Sequence, residues 1–208
     1  MDVLQAALLD GNHKGAVIEA RRLLAAGVTR EAVVTEGLAP AMGCLDAKCT
    51  IRSFNLLEIM LVGRAVSGVV QVLYPDGEPP GVGRATLVIA TLEGDVHDLG
   101  KNIVKMVLIG RGYRVVDCGK DCPVETLAAT ALRERAAAVL VSGLISSIIP
   151  RVRQVRPALA AAGLATVPIL AGGAALKQCA AADLDVDAVA ETAFDGVHLV
   201  DSWLGVPP

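Results

Sequence analysis

The chain has 208 residues, of which 53% are hydrophobic, and this length supports one substantial core or a core with a small satellite domain. Its 19 basic and 22 acidic residues give a formal net charge of -3 without a basic block, which argues against nucleic acid as a partner. Neither a secretory signal nor a membrane-spanning apolar run is visible, so we expect a soluble cytoplasmic protein that does not interact with membranes.

Helical periodicity dominates the first third of the chain. Apolar residues recur at intervals of three and four, and this pattern predicts helices over residues 3–9, 13–27, 29–47 and 54–74. Thr29 stands where an N-cap is expected, whereas Gly11 and Gly27 stand where helices should end. Together these segments predict a small helical bundle over residues 1–80.

A segment rich in proline and glycine, YPDGEPPGVG at residues 74–83, predicts a linker. From residue 85 onward, short apolar runs alternate with helical patterns. The runs predict strands over residues 86–92, 113–118, 137–143, 167–173 and 187–190. The patterns between and after them predict helices over residues 101–111, 123–135, 150–162, 174–182 and 193–204.

Continuous apolar strands separated by helices predict a parallel sheet that is covered on both faces. We therefore expect an α/β protein, in which residues 84–208 form a Rossmann-like (flavodoxin-like), doubly wound sheet of five parallel strands in the order 2-1-3-4-5. In such sheets the ligand lies beyond the carboxyl ends of the strands, where the strand order reverses. The loops LEGDVHDLG, SGLISS and AGGAALK, which follow the first, third and fourth strands, should border that crevice.

His97 stands in the first of these loops, between Asp95 and Asp98. A carboxylate that accepts from one ring nitrogen fixes the tautomer and makes the other nitrogen a better donor, which favours a metal ligand or a base over a merely solvated side chain. His13 and His198 fall in unrelated helices, so a conventional metal site with three or four protein ligands is not expected. A single imidazole suffices when the metal sits in a macrocycle and needs one axial ligand.

The five cysteines are an odd number without CxxC spacing, which argues against a disulfide framework and against a structural zinc site. We interpret them as small buried hydrophobic residues. A redox or metal role for Cys118 and Cys122 is the alternative.

Three motifs, each following a predicted strand, resemble the signature of the cobalamin-binding corrinoid proteins, which reads DxHxxG, then SxL, then GG. In this chain the motifs are, in the same order, Asp95, His97 and Gly100, then Ser142 and Leu144, then Gly172 and Gly173. The fuller stretch GDVHDLGKN and the preceding helical module resemble the methyltransferase corrinoid proteins in particular. The resemblance extends over nearly the whole chain.

The resemblance implies that cobalamin binds with His97 as the lower axial ligand of cobalt. Asp95 would bond the far imidazole nitrogen, and the displaced nucleotide tail would enter a slot beside the third and fourth strands. The implied cofactor-binding residues are Gly94, Asp95, Val96, His97, Asp98, Gly100, Ser142, Leu144, Ser146, Gly172, Gly173 and Ala193. Ile148 and Val189 depart from the serine and tyrosine common in such proteins, and no residue is expected to be catalytic.

The resemblance also implies a non-autonomous methyl carrier. Cobalt would take a methyl group from a substrate:corrinoid methyltransferase, forming methylcobalamin, and would pass it to a methyl-acceptor methyltransferase, with a corrinoid reductive activase as a further partner. The helical module would cap the methyl face, where Phe54 fits but Cys49 and Asn55 replace bulkier residues. The alternatives are a subunit of an adenosylcobalamin-dependent mutase and a B12 sensor or store.

Overall fold

The computed structural model describes residues 1–51, 56–75 and 84–206. Most of the predicted linker lies outside these ranges, as do Phe54 and Asn55 of the predicted cap and the side chain of Cys49.

The described residues form two compact units. The first unit comprises Met1–Arg84 and Met106–Arg114, and the second comprises Ala85–Lys105 and Val115–Pro208. The first unit thus includes a short segment from the second half of the chain in addition to the N-terminal helices. The boundaries expected from the sequence, at residues 80 and 84, stay a prediction.

The first unit contains the helices predicted from the apolar periodicity. They are α1 (Asp2–Leu9), α2 (His13–Ala25), α3 (Arg30–Ala32), α4 (Ala39–Ile51) and α5 (Leu56–Leu73). A π-helical turn, Val33–Leu38, joins α3 to α4, so the single helix predicted there contains a change of helical pitch. The core of the unit includes Leu4, Leu8, Ala20, Leu23, Leu38, Val62 and Val66.

The predicted helix ends are confirmed at three positions. The hydroxyl of Thr29 accepts a hydrogen bond of 3.1 Å from the Ala32 amide, which makes Thr29 the N-cap of α3. Gly11 and Gly27 have φ angles of 64° and 84°, which lie in the left-handed region that favours glycine. A Cβ atom on Gly11 would lie 2.6 Å from Cβ of Leu61, whereas one on Gly27 would meet nothing within 4 Å.

These two glycines provide a matched test of packing in the first unit. Gly27→Ala should lower the free energy of unfolding by about 1 kcal/mol, because only the strained backbone opposes it. Gly11→Ala should cost about 1–3 kcal/mol more, because its methyl group also collides with Leu61. Urea unfolding of both variants measures the difference, and equal losses would contradict this account of Gly11.

The second unit is built on the predicted five-stranded sheet. The strands are β1 (Thr86–Thr91), β2 (Arg114–Asp117), β3 (Ala138–Ser142), β4 (Ile169–Gly172) and β5 (Ala188–Ala190). Their order is β2-β1-β3-β4-β5, and β1, β3, β4 and β5 pair in parallel. Four of the five residues of β3 are buried, as expected for a sheet covered on both faces. The predicted α/β fold and strand order are therefore confirmed.

The helices of the sheet-bearing half are α6 (Leu99–Gly110), α7 (Val124–Arg133), α8 (Ile149–Val152), α9 (Val155–Ala161), α10 (Ala181–Leu184) and α11 (Ala193–Trp203). The single helix predicted over 150–162 is interrupted between α8 and α9, because the Pro157 ring cannot be accommodated beside the carbonyl of the residue four positions earlier. The helix predicted over 174–182 is replaced by a 3-10 turn at Leu176–Gln178 and the short α10. Within the described ranges, none of the helices combines the length and hydropathy that a membrane span requires.

Candidate functional site

The loops predicted to border the crevice lie at one edge of the sheet. Thr91 of β1 is in register with Ser142 of β3, which is in register with Gly172 of β4, so these strands end at the same level. The strand order reverses at β1, because β1 lies between β2 and β3. The loop that carries His97 therefore leaves the sheet at the switch point, where doubly wound folds place their ligands.

A buried carboxylate holds this loop in place. Asp95 is fully buried, and its Oδ1 lies 2.7 Å from the His97 Nδ1 and accepts a hydrogen bond of 2.9 Å from the His97 amide. Its Oδ2 accepts a hydrogen bond of 2.6 Å from the amide of Leu144, in the loop after β3. One side chain thus joins two of the predicted site loops.

The environment of Asp95 keeps its carboxyl group ionised. Burial raises the pKa of Asp95, but hydrogen bonds from the backbone of His97, the backbone of Leu144, the His97 ring and the backbone of Ile145 together lower it below its ordinary value. Because an ionised carboxylate only accepts hydrogen bonds, the His97 Nδ1 carries the proton that it donates to Asp95. The ring nitrogen that remains for a ligand is Nε2.

The His97 ring is accessible, since 52% of its side chain is exposed. The carboxylate of Asp95 bonds the ring. Asp98, the other acidic neighbour of His97, accepts a hydrogen bond from the Asn102 amide with its backbone carbonyl, in the first turn of α6. Three apolar side chains from the two joined loops and the start of α6 are also exposed, namely Val96 at 58%, Leu99 at 46% and Leu144 at 47%. Exposed apolar side chains beside the free Nε2 of His97 are suited to a large, flat, partly apolar ligand.

The loops after β3 and β4 pack backbone to backbone. The Gly143 amide donates to the Gly172 carbonyl at 2.9 Å, and the Ala175 amide donates to the Gly143 carbonyl at 3.3 Å. Gly173 has a φ of 105°, and a Cβ atom there would lie 2.5 Å from the Gly143 oxygen. A side chain at Gly173 would therefore separate the two loops.

The remaining predicted site residues occupy the ends of neighbouring elements. Ser146 is exposed at the start of the 3-10 turn Ser146–Ile148. Ala193 is the first residue of α11, which follows β5 and is capped by the Thr192 hydroxyl. Gly94 has a φ of 93°, and Gly100 lies in the first turn of α6. Hydrogen bonds and register connect Asp95, His97, Leu144, Ser142 and Gly172, while the assignment of all twelve residues to a cofactor stays a prediction.

Asp121 is a part of the site that the sequence reading missed. Its Oδ1 accepts a hydrogen bond of 2.8 Å from the Gly94 amide, and its own amide donates to the Asp95 carbonyl at 3.0 Å. The signal available in the sequence was its place in the turn after β2, the strand beside β1. Asp121, which follows β2, and Leu144, which follows β3, thus brace the His97 loop from opposite sides, because β1 lies between these two strands.

A buried ion pair fixes the start of α6 to the end of β2. The Lys101 side chain is 2% exposed, and its Nζ lies 2.6 Å from each carboxylate oxygen of Asp117. Burial raises the pKa of Asp117, but the hydrogen bond from Lys101, the Gly119 amide and the charges of Lys101 and Lys105 together lower it. The pairing of Lys101 with Asp117 is not predicted from the sequence.

Removal of one partner of the Lys101–Asp117 pair should be strongly destabilising. Asp117→Ala should lower the free energy of unfolding by about 3 kcal/mol near neutral pH, because it leaves the buried Lys101 ammonium without its carboxylate. The pKa of Asp117 is lowered on folding, so its contribution is present above about pH 4 and is lost as the pH falls through the folded value. Urea unfolding as a function of pH measures both effects.

The control variant is Glu93→Ala, which removes a partner 3.4 Å from Arg151 in a pair whose side chains are both about half exposed. It should cost less than about 1 kcal/mol at every pH. A loss for Asp117→Ala as small as that of the control, or one that persists unchanged below pH 3, would contradict the role given to the buried pair.

Comparison with known proteins agrees with the fold, a doubly wound domain in which the loop of His97 leaves the sheet at the switch point. Residues 85–198 match the family model of the B12 binding domain. The chain is 30% identical over 187 residues to the dimethylamine corrinoid protein 3 of Methanosarcina acetivorans, covering 88% of this chain and 87% of the relative.

Two further relatives span nearly the whole chain. The trimethylamine corrinoid protein 1 of Methanosarcina mazei is 28% identical over 202 residues, covering 95% of this chain and 94% of the relative. The crystal structure of a methanol:cobalamin methyltransferase complex from Methanosarcina barkeri contains a chain that is 25% identical, with a TM-score of 0.82, over 98% of this chain and 78% of that chain. The chain therefore belongs to the family of corrinoid proteins that contain a B12 binding domain.

In the part of the chain that the structure describes, no three His, Cys, Asp or Glu side chains are grouped so that they could hold a metal ion. His13 bonds the Arg64 carbonyl through its Nδ1 at 3.0 Å. His198 is exposed on α11.

Proposed function

We propose that this protein is a corrinoid protein that carries a methyl group on the cobalt of bound cobalamin between two methyltransferases. The proposal depends on one observation, the His97–Asp95 pair at the switch point of the sheet. Asp95 engages Nδ1 and leaves Nε2 of a half-exposed ring as the nitrogen that a ligand can use.

The residues present fit a corrinoid. Most donors to its cobalt belong to the corrinoid itself, so one protein nitrogen would suffice to hold the metal, and Nε2 of His97 would provide it. Val96, Leu99 and Leu144 offer exposed apolar side chains in the same loops, and a macrocycle can cover them. When bound, the corrinoid supplies the methyl-transfer chemistry through its cobalt.

The polypeptide contributes orientation and access. Asp95 holds the imidazole in one tautomer and one direction, because its carboxylate is itself fixed by the amides of His97 and Leu144. We assign the nucleotide tail of the cofactor to the loops after β3 and β4, where Ser142 offers a hydroxyl and Gly172 and Gly173 expose backbone. Gly94, Asp98, Gly100, Ser146 and Ala193 complete the proposed set, within a cobalamin-binding domain over residues 84–208.

Partner proteins follow from this role. Relatives of the chain carry names from methylamine systems, and the chain of similar structure comes from a methanol:cobalamin methyltransferase complex. We assign this protein a substrate:corrinoid methyltransferase as methyl donor, a second methyltransferase as acceptor and a corrinoid reductive activase. The cysteine pattern, with no disulfide framework, supports a cytoplasmic location.

The axial ligand can be tested by electron paramagnetic resonance. Protein from cells grown on nitrogen-15 histidine is loaded with cobalamin and reduced to cobalt(II). We expect a hyperfine coupling from one labelled nitrogen, because Nε2 of His97 is the proposed axial donor, and we expect it to vanish in His97→Ala.

The matched control is His198→Ala, which removes an exposed histidine on α11 and should keep the coupling. A labelled coupling that survives in His97→Ala would assign the ligand to another histidine. A spectrum of wild-type protein in which the base of the cofactor itself still binds cobalt would refute the proposed site.

The carrier role is tested by loading the protein separately with carbon-14 methylcobalamin and with adenosylcobalamin and adding extract of the source organism. We expect the labelled methyl group to leave the protein for a small-molecule acceptor, and the adenosyl form to support no rearrangement of carbon skeletons. The opposite pattern would favour the mutase subunit, and inertness of both loaded forms would favour a sensor or store. His97→Ala serves as the control for non-specific demethylation.

A further inference from the structure

Cys118 and Cys122 flank a tight turn that follows β2. The Cys118 amide donates to the Ile89 carbonyl at 2.8 Å, and the Cys122 amide donates to the Thr91 carbonyl at 3.0 Å. Residues 119–121 therefore loop out between two positions that are both anchored to β1. Gly119 and Asp121 have φ angles of 85° and 52°, which is the backbone geometry of such a turn.

The anchoring holds the two cysteines near each other, but a disulfide would have to draw them closer. Ile89 and Thr91 are two residues apart on β1, so the carbonyls that bind the two cysteine amides are about 6.6 Å apart along the strand. A disulfide needs Cβ atoms about 3.5–4.5 Å apart, so its closure would shift the turn at residues 119–121. Cys122 is 2% exposed within the core between the sheet and α7, and the partly exposed Cys118 packs against the same core, so both thiols are on one face.

The surroundings of the two thiols differ. The hydrogen bond from Cys122, with smaller contributions from the Thr130 hydroxyl and the Arg133 charge, outweighs burial and the Asp117 charge and lowers the pKa of Cys118 to about 7. The same hydrogen bond, together with burial, raises the pKa of Cys122. Cys118 is thus the more nucleophilic of the two thiols, whereas Cys122, whose Sγ donates to the Pro123 carbonyl at 3.5 Å, stays protonated.

The turn between these cysteines contacts the loop of the proposed cofactor site. Asp121 accepts from the Gly94 amide at 2.8 Å and donates from its own amide to the Asp95 carbonyl at 3.0 Å. The Gly119 carbonyl accepts from the Thr91 amide at 3.0 Å, at the end of the strand that leads into the same loop. A change in the turn therefore reaches Gly94 and Asp95 through direct hydrogen bonds.

We propose that Cys118 and Cys122 form a redox-active thiol pair, which a hydroperoxide closes to a disulfide, and that closure loosens the Asp121 brace on the His97 loop. The thiol chemistry is independent of cobalamin. Only the effect of the loosened His97 loop on cofactor binding rests on the proposed function.

The reaction consumes one hydroperoxide and two thiols. The Cys118 thiolate attacks the O–O bond of hydrogen peroxide, which forms the sulfenic acid and releases hydroxide. The Cys122 sulfur then attacks the Cys118 sulfur, the S–O bond breaks, and the sulfenic oxygen leaves as water with the Cys122 proton. Two electrons pass from the thiols to the peroxide, and a reducing dithiol reverses the closure by exchange.

The chain offers a direct test of the bond. The reduced full-length protein is treated with hydrogen peroxide, blocked with N-ethylmaleimide and digested with trypsin. Cleavage at Lys120, between the two cysteines, yields peptides 115–120 and 121–133. We expect these peptides to be linked after oxidation and separate after treatment with dithiothreitol, and failure to form the linked pair in wild type would overturn the proposal.

Matched variants assign the roles of the two thiols. Cys179→Ser removes another partly exposed thiol and should leave the linked peptides unchanged. Cys122→Ser should stop the reaction at a sulfenic acid on Cys118, which dimedone labels. Faster labelling at Cys179 than at Cys118 in that variant would overturn the assignment of the nucleophile.

The effect on the loop is measured without cofactor. Hydrogen exchange of the Gly94 amide should accelerate at least about tenfold in the oxidised protein and return on reduction, because that amide loses its bond to Asp121. In Cys122→Ser, peroxide should leave this exchange unchanged. Linked peptides with unaltered exchange at Gly94 would overturn the coupling, whereas failure to bind cobalamin in either redox state would count against the proposed function alone.

Discussion

The site depends on the burial of a single charge. Asp95 has no exposed surface, and its carboxylate is stabilised only because amides from two loops and one imidazole nitrogen donate to it. Removing any one of these donors leaves an ionised group underbonded inside the protein, which is costly. The position of His97 therefore follows from the need of the buried carboxylate for hydrogen-bond donors.

Backbone atoms provide most of this solvation. Leu144 contributes its amide to Asp95, and the side chain of Ile148 is apolar and buried. The loop after β3 thus fixes the carboxylate with main-chain donors that no substitution other than proline removes. The same loop holds the loop after β4 through the contact of Gly143 with Gly172.

The features predicted from the sequence were those with a strong local signal. The continuous apolar runs gave the strands to within two residues, the strand order followed from the general behaviour of doubly wound sheets, and the spacing of glycines marked the ends of α1 and α2. Asp121 and the Lys101–Asp117 pair carry no such signal, because their partners are distant in the chain and because a lone aspartate or lysine in a polar stretch looks like surface. A redox role for Cys118 and Cys122 was only an alternative from the sequence, and the proposal of it rests on the bonds of both residues to β1, which are not visible in the spacing.

The π-helical turn at Val33–Leu38 has a consequence for the segment that follows it. A bond from residue i to i+5 accommodates one more residue than an α-helical turn does, so α4 presents a different set of side chains from the one a continuous α-helix would present. Deleting a single residue from 33–38 would restore regular pitch and rotate α3 against α4 by the angle of one residue, about 100°. The number of residues in this stretch therefore determines which side chains α4 presents. A homologue with a longer or shorter stretch must place its apolar residues at different positions along the same helix.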